Sequence, residues 1–201
     1  MKTIPMIFNQ QMVQALVDGR KTVTRRPMKL GTKDHDFGCL LKPFEVAGEV
    51  NNFEYENSAF KPGDLIWVRE TFRQFNSSNE CGCSESPCGC PNNGTYIYKA
   101  TGDDGESKWK PSIHMPRKAS RLTLRVTDVR CETVQQITEE SAQKEGVSPA
   151  FIDQFGNCPT VPRFKSGFYK MWDGIYSNWD KNPWVWVIEF DVIKQNVDSV
   201  K

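Results

Sequence analysis

The sequence holds no apolar run long enough to cross a bilayer, and its N-terminus lacks the pattern of a signal peptide. Both absences argue against a membrane or secreted protein, and a cytoplasmic one is expected. Internal repeats and low-complexity tracts are missing too. The 201 residues therefore read as a single domain, 1–201, long enough to bury its own core, with insertions at about 27–62 and 76–94. An even cysteine count is also lacking. Seven cysteines fit poorly with a fully paired disulfide framework and better with free thiols plus a metal site. Acids are scarce in two places that the net charge of +1 conceals. Between Met1 and Leu30 only Asp18 is acidic, and Lys108 to Arg125 carries six Lys or Arg and no acid. If those two segments converge, they suit a phosphate-bearing partner; otherwise they coat a surface balanced elsewhere.

What is present begins with a short apolar strand, Ile4 to Phe8. Asn9 follows as a helix N-cap, Phe8 is placed to staple against Val13, and Met12, Val13, Leu16 and Val17 form the buried stripe. Gly19 ends this helix. After it, Gly19-Arg-Lys-Thr-Val-Thr-Arg-Arg26 is a cationic turn and strand. Thr22, Thr24 and Arg26 would share one face, and Lys21, Val23 and Arg25 the other. Lys21 meets Thr24 only if the chain still bends at Lys21. A lysine amine beside a threonine hydroxyl can act as base and nucleophile when burial or nearby cations lower the lysine pKa. The other open reading is an edge strand whose solvated Lys and Arg discourage aggregation.

Pro27 to Pro62 lacks periodicity and reads as an irregular excursion; its His35 and Cys39 are assigned nothing. Lys61-Pro-Gly-Asp signals a turn into a strand over Leu65–Phe72. There Ile66, Val68, Glu70 and Phe72 share one face, and Leu65, Trp67, Arg69 and Thr71 the other. A carboxylate in line with three apolar side chains is costly to bury unless paired, so Glu70 is a candidate site residue. Cys81-Gly-Cys83-Ser-Glu-Ser-Pro-Cys88-Gly-Cys90 lets four thiolates converge on one tetrahedral ion, with zinc expected as a structural staple. No organic cofactor is expected.

Thr95 to Ala100 reads as a strand. The proline-rich Trp109–Arg121 segment reads as a loop carrying His114, Arg117, Ser120 and Arg121, either solvated or placed to hold a phosphate or base edge. Leu122–Val129 alternates as a strand with Leu122, Leu124 and Val126 inward. Ile137–Gly146 is a helix capped by Thr138, with Glu139 and Glu140 in the favourable first turn and Gly146 as its stop. Glu145 stands in the last turn, where the helix dipole disfavours a carboxylate, so it is expected to be paired with a cation or held protonated. Beyond a loop containing Cys158, Phe164, Phe168, Met171, Trp172 and Ile175 form a core helical stripe. A final strand, Trp184–Ile193, puts Trp184, Trp186, Ile188 and Phe190 on one face and closes the sheet.

Four blocks together resemble the ASCH domain family: Gly19-Arg-Lys-Thr-Val-Thr, Pro62-Gly-Asp-Leu-Ile-Trp-Val-Arg-Glu-Thr, Thr138-Glu-Glu-Ser-Ala-Gln-Lys-Glu-Gly-Val, and the terminal Val-Trp-Val-Ile-Glu-Phe strand. With Ile113-His-Met-Pro-Arg-Lys-Ala-Ser-Arg and Asn182-Pro-Trp-Val-Trp-Val, the chain is similar to the long ASCH proteins of phages and prophages. The resemblance implies an α+β fold built on a PUA-like mixed β-barrel flanked by short helices. It also implies hydrolysis of N4-acetylcytidine, with Lys21 as proton acceptor, Thr24 as nucleophile and Glu145 as proton donor. Charge and position add Arg26, Arg69, Glu70, Arg117, Ser120 and Arg121 as substrate-binding candidates. Other members imply the alternative, a noncatalytic RNA- or nucleotide-binding module.

Overall fold

The computed structural model describes residues 1–28, 60–83, 88–102, 105, 107–151 and 161–200. His35, Cys39, Cys158 and most of the excursion before Pro62 lie outside them. Seven strands and four α-helices are described, in the order β1 (Thr3–Ile7), α1 (Gln10–Val17), β2 (Val23–Pro27), β3 (Leu65–Arg69), β4 (Phe72–Gln74), α2 (Ser77–Glu80), β5 (Tyr96–Tyr98), β6 (Thr123–Thr133), α3 (Glu139–Lys144), α4 (Phe164–Tyr176) and β7 (Trp184–Ile193). The fold is mixed α+β. None of the helices is long and apolar enough to cross a membrane.

Five strands form one sheet in the order β1-β3-β6-β7-β2, and β4 pairs with β5 in a separate ribbon. β1 runs parallel to β3 and the other pairs are antiparallel. The terminal strand was expected to close the sheet, but β7 lies inside it and β1 and β2 are its edges. No strand pairing joins those edges among the described residues. They are nevertheless close, because Arg26 on β2 donates from Nη2 to the Ile7 carbonyl on β1 at 2.7 Å and lies over the Phe8 ring.

Strand alternation divides the apolar residues between two cores. Trp186, Ile188 and Phe190 of β7 join Ile66, Val68, Leu124 and Val126 and the α1 stripe on one face. Val185 and Val187 pack on the other face with Val23, Phe168, Trp172 and Trp179, beneath α3 and α4. Both faces are thus dry, and each fully buried aliphatic contributes roughly 1.5–3 kcal/mol relative to exposure.

Three expected elements differ. The Leu65–Phe72 strand breaks after Arg69, because the Glu70 N–H turns to the Met115 sulfur (3.2 Å) and leaves the ladder. Phe72 therefore packs in a small cluster with Met115 and Ala119. The Thr95–Ala100 strand shrinks to Tyr96–Tyr98, while β6 extends to Thr133 by way of a bulge between Val126 and Asp128. On α4, Ile175 is exposed and not core; Tyr176 takes its place in the packing, with its ring 4.4 Å from that of Trp172.

Candidate functional site

Two helix ends create the site. α1 is capped as its sequence predicts: the Asn9 side chain accepts from the Met12 N–H. It finishes in a Schellman turn, with Gly19 at φ +74°, its N–H on the Leu16 carbonyl and the Arg20 N–H on the Ala15 carbonyl. The Lys21 N–H also reaches the Ala15 carbonyl, so the chain is still bending at Lys21. α3 is capped by Thr138, whose hydroxyl accepts from the Ser141 N–H at 3.1 Å, and ends at Gly146, φ +77°. These two C-termini abut: the Thr22 N–H donates to the Lys144 carbonyl at 2.9 Å.

Lys21 consequently lies wholly buried against Glu145, which is 1 % exposed. Its ammonium has three N–H donors, and all three are used: on Glu145 Oε2 at 2.7 Å, the Glu145 carbonyl at 2.9 Å and the Val23 carbonyl at 2.8 Å. Burial pushes the Lys21 ammonium down from the usual lysine range, against the opposing pull of Glu145. Arg25 holds the other Glu145 oxygen from Nη1 at 3.1 Å, and its Nη2 reaches Ser141 Oγ at 2.8 Å and Glu132 Oε1 at 2.5 Å. Of the two readings of Glu145, pairing with a cation is what the geometry displays. Arg25, Ser141 and Glu132 were not singled out from sequence. Ser141 lies one helical turn before Glu145, a detectable signal; nothing along the chain ties Glu132 to either.

β2 is an edge strand, as one reading had it, but Lys21 and Arg25 are buried and paired, not solvated. Thr24 is buried as well, opposite Ile188 of β7 and on the face away from Arg25. No hydrogen bond joins its hydroxyl to Lys21. Arg26 spends its donors on the Ile7 carbonyl, Met6 Sδ (3.4 Å) and the Tyr176 hydroxyl (3.4 Å).

The remaining binding candidates form a second group. Arg121 clasps Glu70 through two bonds of 2.9 Å, reaches Thr101 Oγ1 at 2.8 Å and stacks 4.1 Å over the Tyr98 ring. Burial raises the Glu70 carboxyl and pushes the Tyr98 phenol up to about 12. Arg69 donates to the Ser112 and Ile113 carbonyls, Ser120 Oγ lies 2.9 Å from the Val68 carbonyl, and exposed Arg117 pairs with Asp198 at 2.6 Å. The Trp109–Arg121 segment is thus a loop with two single-turn 3-10 helices, pinned by its own cations. No hydrogen bond or ion pair of the described residues joins this group to Lys21, Arg25 and Glu145.

A cleft of about 780 Å³ runs between α1, the segment after α3, and α4. Gln10, Gln14, Arg20, Ser148 and Lys170 line it, and Glu145 and Gly146 form part of its wall.

Far along the chain, in the connection between β4 and β5, the Sγ atoms of Cys81, Cys83, Cys88 and Cys90 all lie within 4.8 Å of one another. Cys81 approaches Cys88 at 3.4 Å and Cys83 approaches Cys90 at 3.2 Å, and no disulfide joins them. A tetrahedral ion with metal–sulfur bonds of about 2.3 Å needs sulfurs ~3.8 Å apart, so the four can hold one metal ion. The Cys90 N–H on its sulfur, with the neighbouring thiols, draws the Cys88 thiol down to about 7, while the same crowding of thiols pushes Cys83 and Cys90 up. A comparison of the chain with protein-family models, with curated proteins and with solved structures finds no match.

Proposed function

We propose that this chain is an ASCH-type amidohydrolase that removes the acyl group from the exocyclic amine of a pyrimidine nucleoside such as N4-acetylcytidine. One observation carries the reading. Lys21 Nζ and Glu145 Oε2, 124 positions apart in sequence, meet at 2.7 Å with both side chains at most 1 % exposed, and Thr24 follows Lys21 by three positions in the chain. In that setting a single proton shift from Nζ to Oε2 yields a neutral amine and a neutral acid, the two protonation states that base and acid catalysis require. Substrate entry would have to bring the Thr24 hydroxyl round from the opposite face of β2 to replace one of the carbonyl acceptors of Lys21. Thr24 Oγ then attacks the acetyl carbon while Lys21 takes its proton. Collapse breaks the C–N bond, and Glu145 protonates the departing amine of cytidine. Water hydrolyses the acetyl-threonine ester, releasing acetate and restoring Thr24.

A PUA-like barrel is consistent with the curled sheet whose edges Arg26 ties together. Zinc suits the all-sulfur donor set of Cys81, Cys83, Cys88 and Cys90, where with every position filled by thiolate it would staple the connection and take no part in the reaction. The noncatalytic RNA-binding alternative would draw on exposed Lys108, Lys110 and Lys118 of the basic segment, since Arg25 and Arg121 already hold acids.

The test is cytidine release from N4-acetylcytidine. The parent turns over, and Lys21→Met, Thr24→Val and Glu145→Gln each lose about 10²-fold or more. A parent that releases nothing at high enzyme concentration, yet binds oligonucleotide with strong salt dependence, refutes the hydrolase and selects the binder.

A further inference from the structure

Counting charge around Glu145 exposes an imbalance. Two cations, Lys21 and Arg25, share this one carboxylate, and all three side chains are at most 1 % exposed. A second anion is required, and Glu132 supplies it from β6, its Oε1 2.5 Å from Arg25 Nη2. Lys21, Arg25, Glu145 and Glu132 then sum to zero. The other charges facing the group are Arg26 on β2, which is only half-buried and repels Lys21 in the parent and in every Glu132 or Arg25 variant alike, and Arg130 on β6, whose Nε is 3.6 Å from Glu132 Oε2. Arg130 is balanced separately by Glu189 at 2.5 Å and Asp128 at 3.5 Å. Ser141 and the Phe168 ring, 5.7 Å from the guanidinium, complete the surroundings without charge.

We propose that Glu132 is a positioning residue that keeps Lys21 protonated at rest: it neutralises Arg25, which would otherwise expel the proton from its buried neighbour. Without Glu132 the group carries a net positive charge away from water. Arginine cannot release a proton under these conditions, so the proton that leaves is the one on Lys21 Nζ. Glu132 touches neither Lys21 nor a substrate; it acts through Arg25.

The experiment titrates Lys21 by NMR in protein labelled with ¹³C-lysine, the resonance being identified by its loss in Lys21→Met. Glu132→Gln keeps an oxygen for Arg25 while removing the charge, at a site that is 20 % exposed, and Arg130 retains Glu189. The Lys21 midpoint falls by about one to three pH units in Glu132→Gln, as expected for loss of a nearby opposite charge. It returns towards the parent value in the double variant Arg25→Gln/Glu132→Gln, where charge again balances. A role confined to packing lowers thermal stability in both variants, more so in the double, and leaves the midpoint in place; that result overturns the inference. A second arm follows kcat/KM for N4-acetylcytidine, whose pH profile shifts downward in Glu132→Gln. Only this arm rests on Lys21 being the base. If the parent is inactive while the midpoint moves as stated, the hydrolase reading falls and the role of Glu132 stands.

Discussion

Glu145 is fixed by two cations at once, and that arrangement makes its removal costly. Truncating one member of a buried ion pair leaves its partner desolvated, at about 3–5 kcal/mol, whereas replacing both members with apolar groups is often close to neutral. Glu145→Ala is therefore expected to destabilise the protein by about 3–5 kcal/mol in urea unfolding. Lys21→Met/Glu145→Leu should recover most of that loss, since Arg25 retains Glu132 and Ser141. Equal destabilisation in the single and double variants would mean that the pair is not the source of the cost. At this scale the sequence was informative about which residues matter and poor about what they touch. Glu145 stood out because a carboxylate at a helix C-terminus needs a reason, and Lys21 because a bend follows Gly19. Their contact, and the part played by Glu132, come from strand order, which no local pattern encodes. Arg117 and Arg121 meet the same limit: a run of like charge along the chain says nothing of the acids, Asp198 and Glu70, that fold against it.

Helices and strands were legible where a terminus carries its own chemistry. Asn9, Gly19, Thr138 and Gly146 mark the ends of α1 and α3, and alternation located β6 and β7 with their inward residues. The break after Arg69 was not legible, since it depends on a distant sulfur from Met115. The two helix-ending glycines differ in a way only the packing reveals. Gly19 and Gly146 both have positive φ, but a Cβ at Gly19 would meet open space, whereas one at Gly146 would come within 2.6 Å of Ala15 Cβ and 2.8 Å of Lys21 Cβ. Gly19→Ala is expected to cost about 1–2 kcal/mol for the left-handed backbone alone. Gly146→Ala adds a clash of about 1–3 kcal/mol by forcing the two helix ends apart. Urea titration of both variants measures the difference, and equal losses would show that the helix ends are not in tight contact.

The whole molecule is a two-faced sheet with a cysteine-bearing ribbon attached through β4 and β5, and its two candidate centres are separable. Elemental analysis of the purified protein should find one zinc per chain. Chelation should abolish amide protection in the connection carrying Cys81 to Cys90 and leave the five-stranded sheet protected. Metal-free protein with four freely titrating thiols would refute the metal centre. The α+β class was implied by the resemblance and agrees with the observed order of elements. The sheet's open order was not, because a resemblance in scattered blocks does not specify which strands lie at the edges.

The most direct test of the account is whether Thr24 becomes acylated. Purified protein is mixed with N4-acetylcytidine, quenched during turnover, and the peptide containing Thr24 is weighed by mass spectrometry while cytidine is followed in parallel. Cytidine release accompanied by an acetyl group on Thr24, both lost in Thr24→Val and Lys21→Met, is the predicted result. No release and no adduct from the folded parent would contradict it, and would leave Lys21 and Glu145 as a purely structural ion pair.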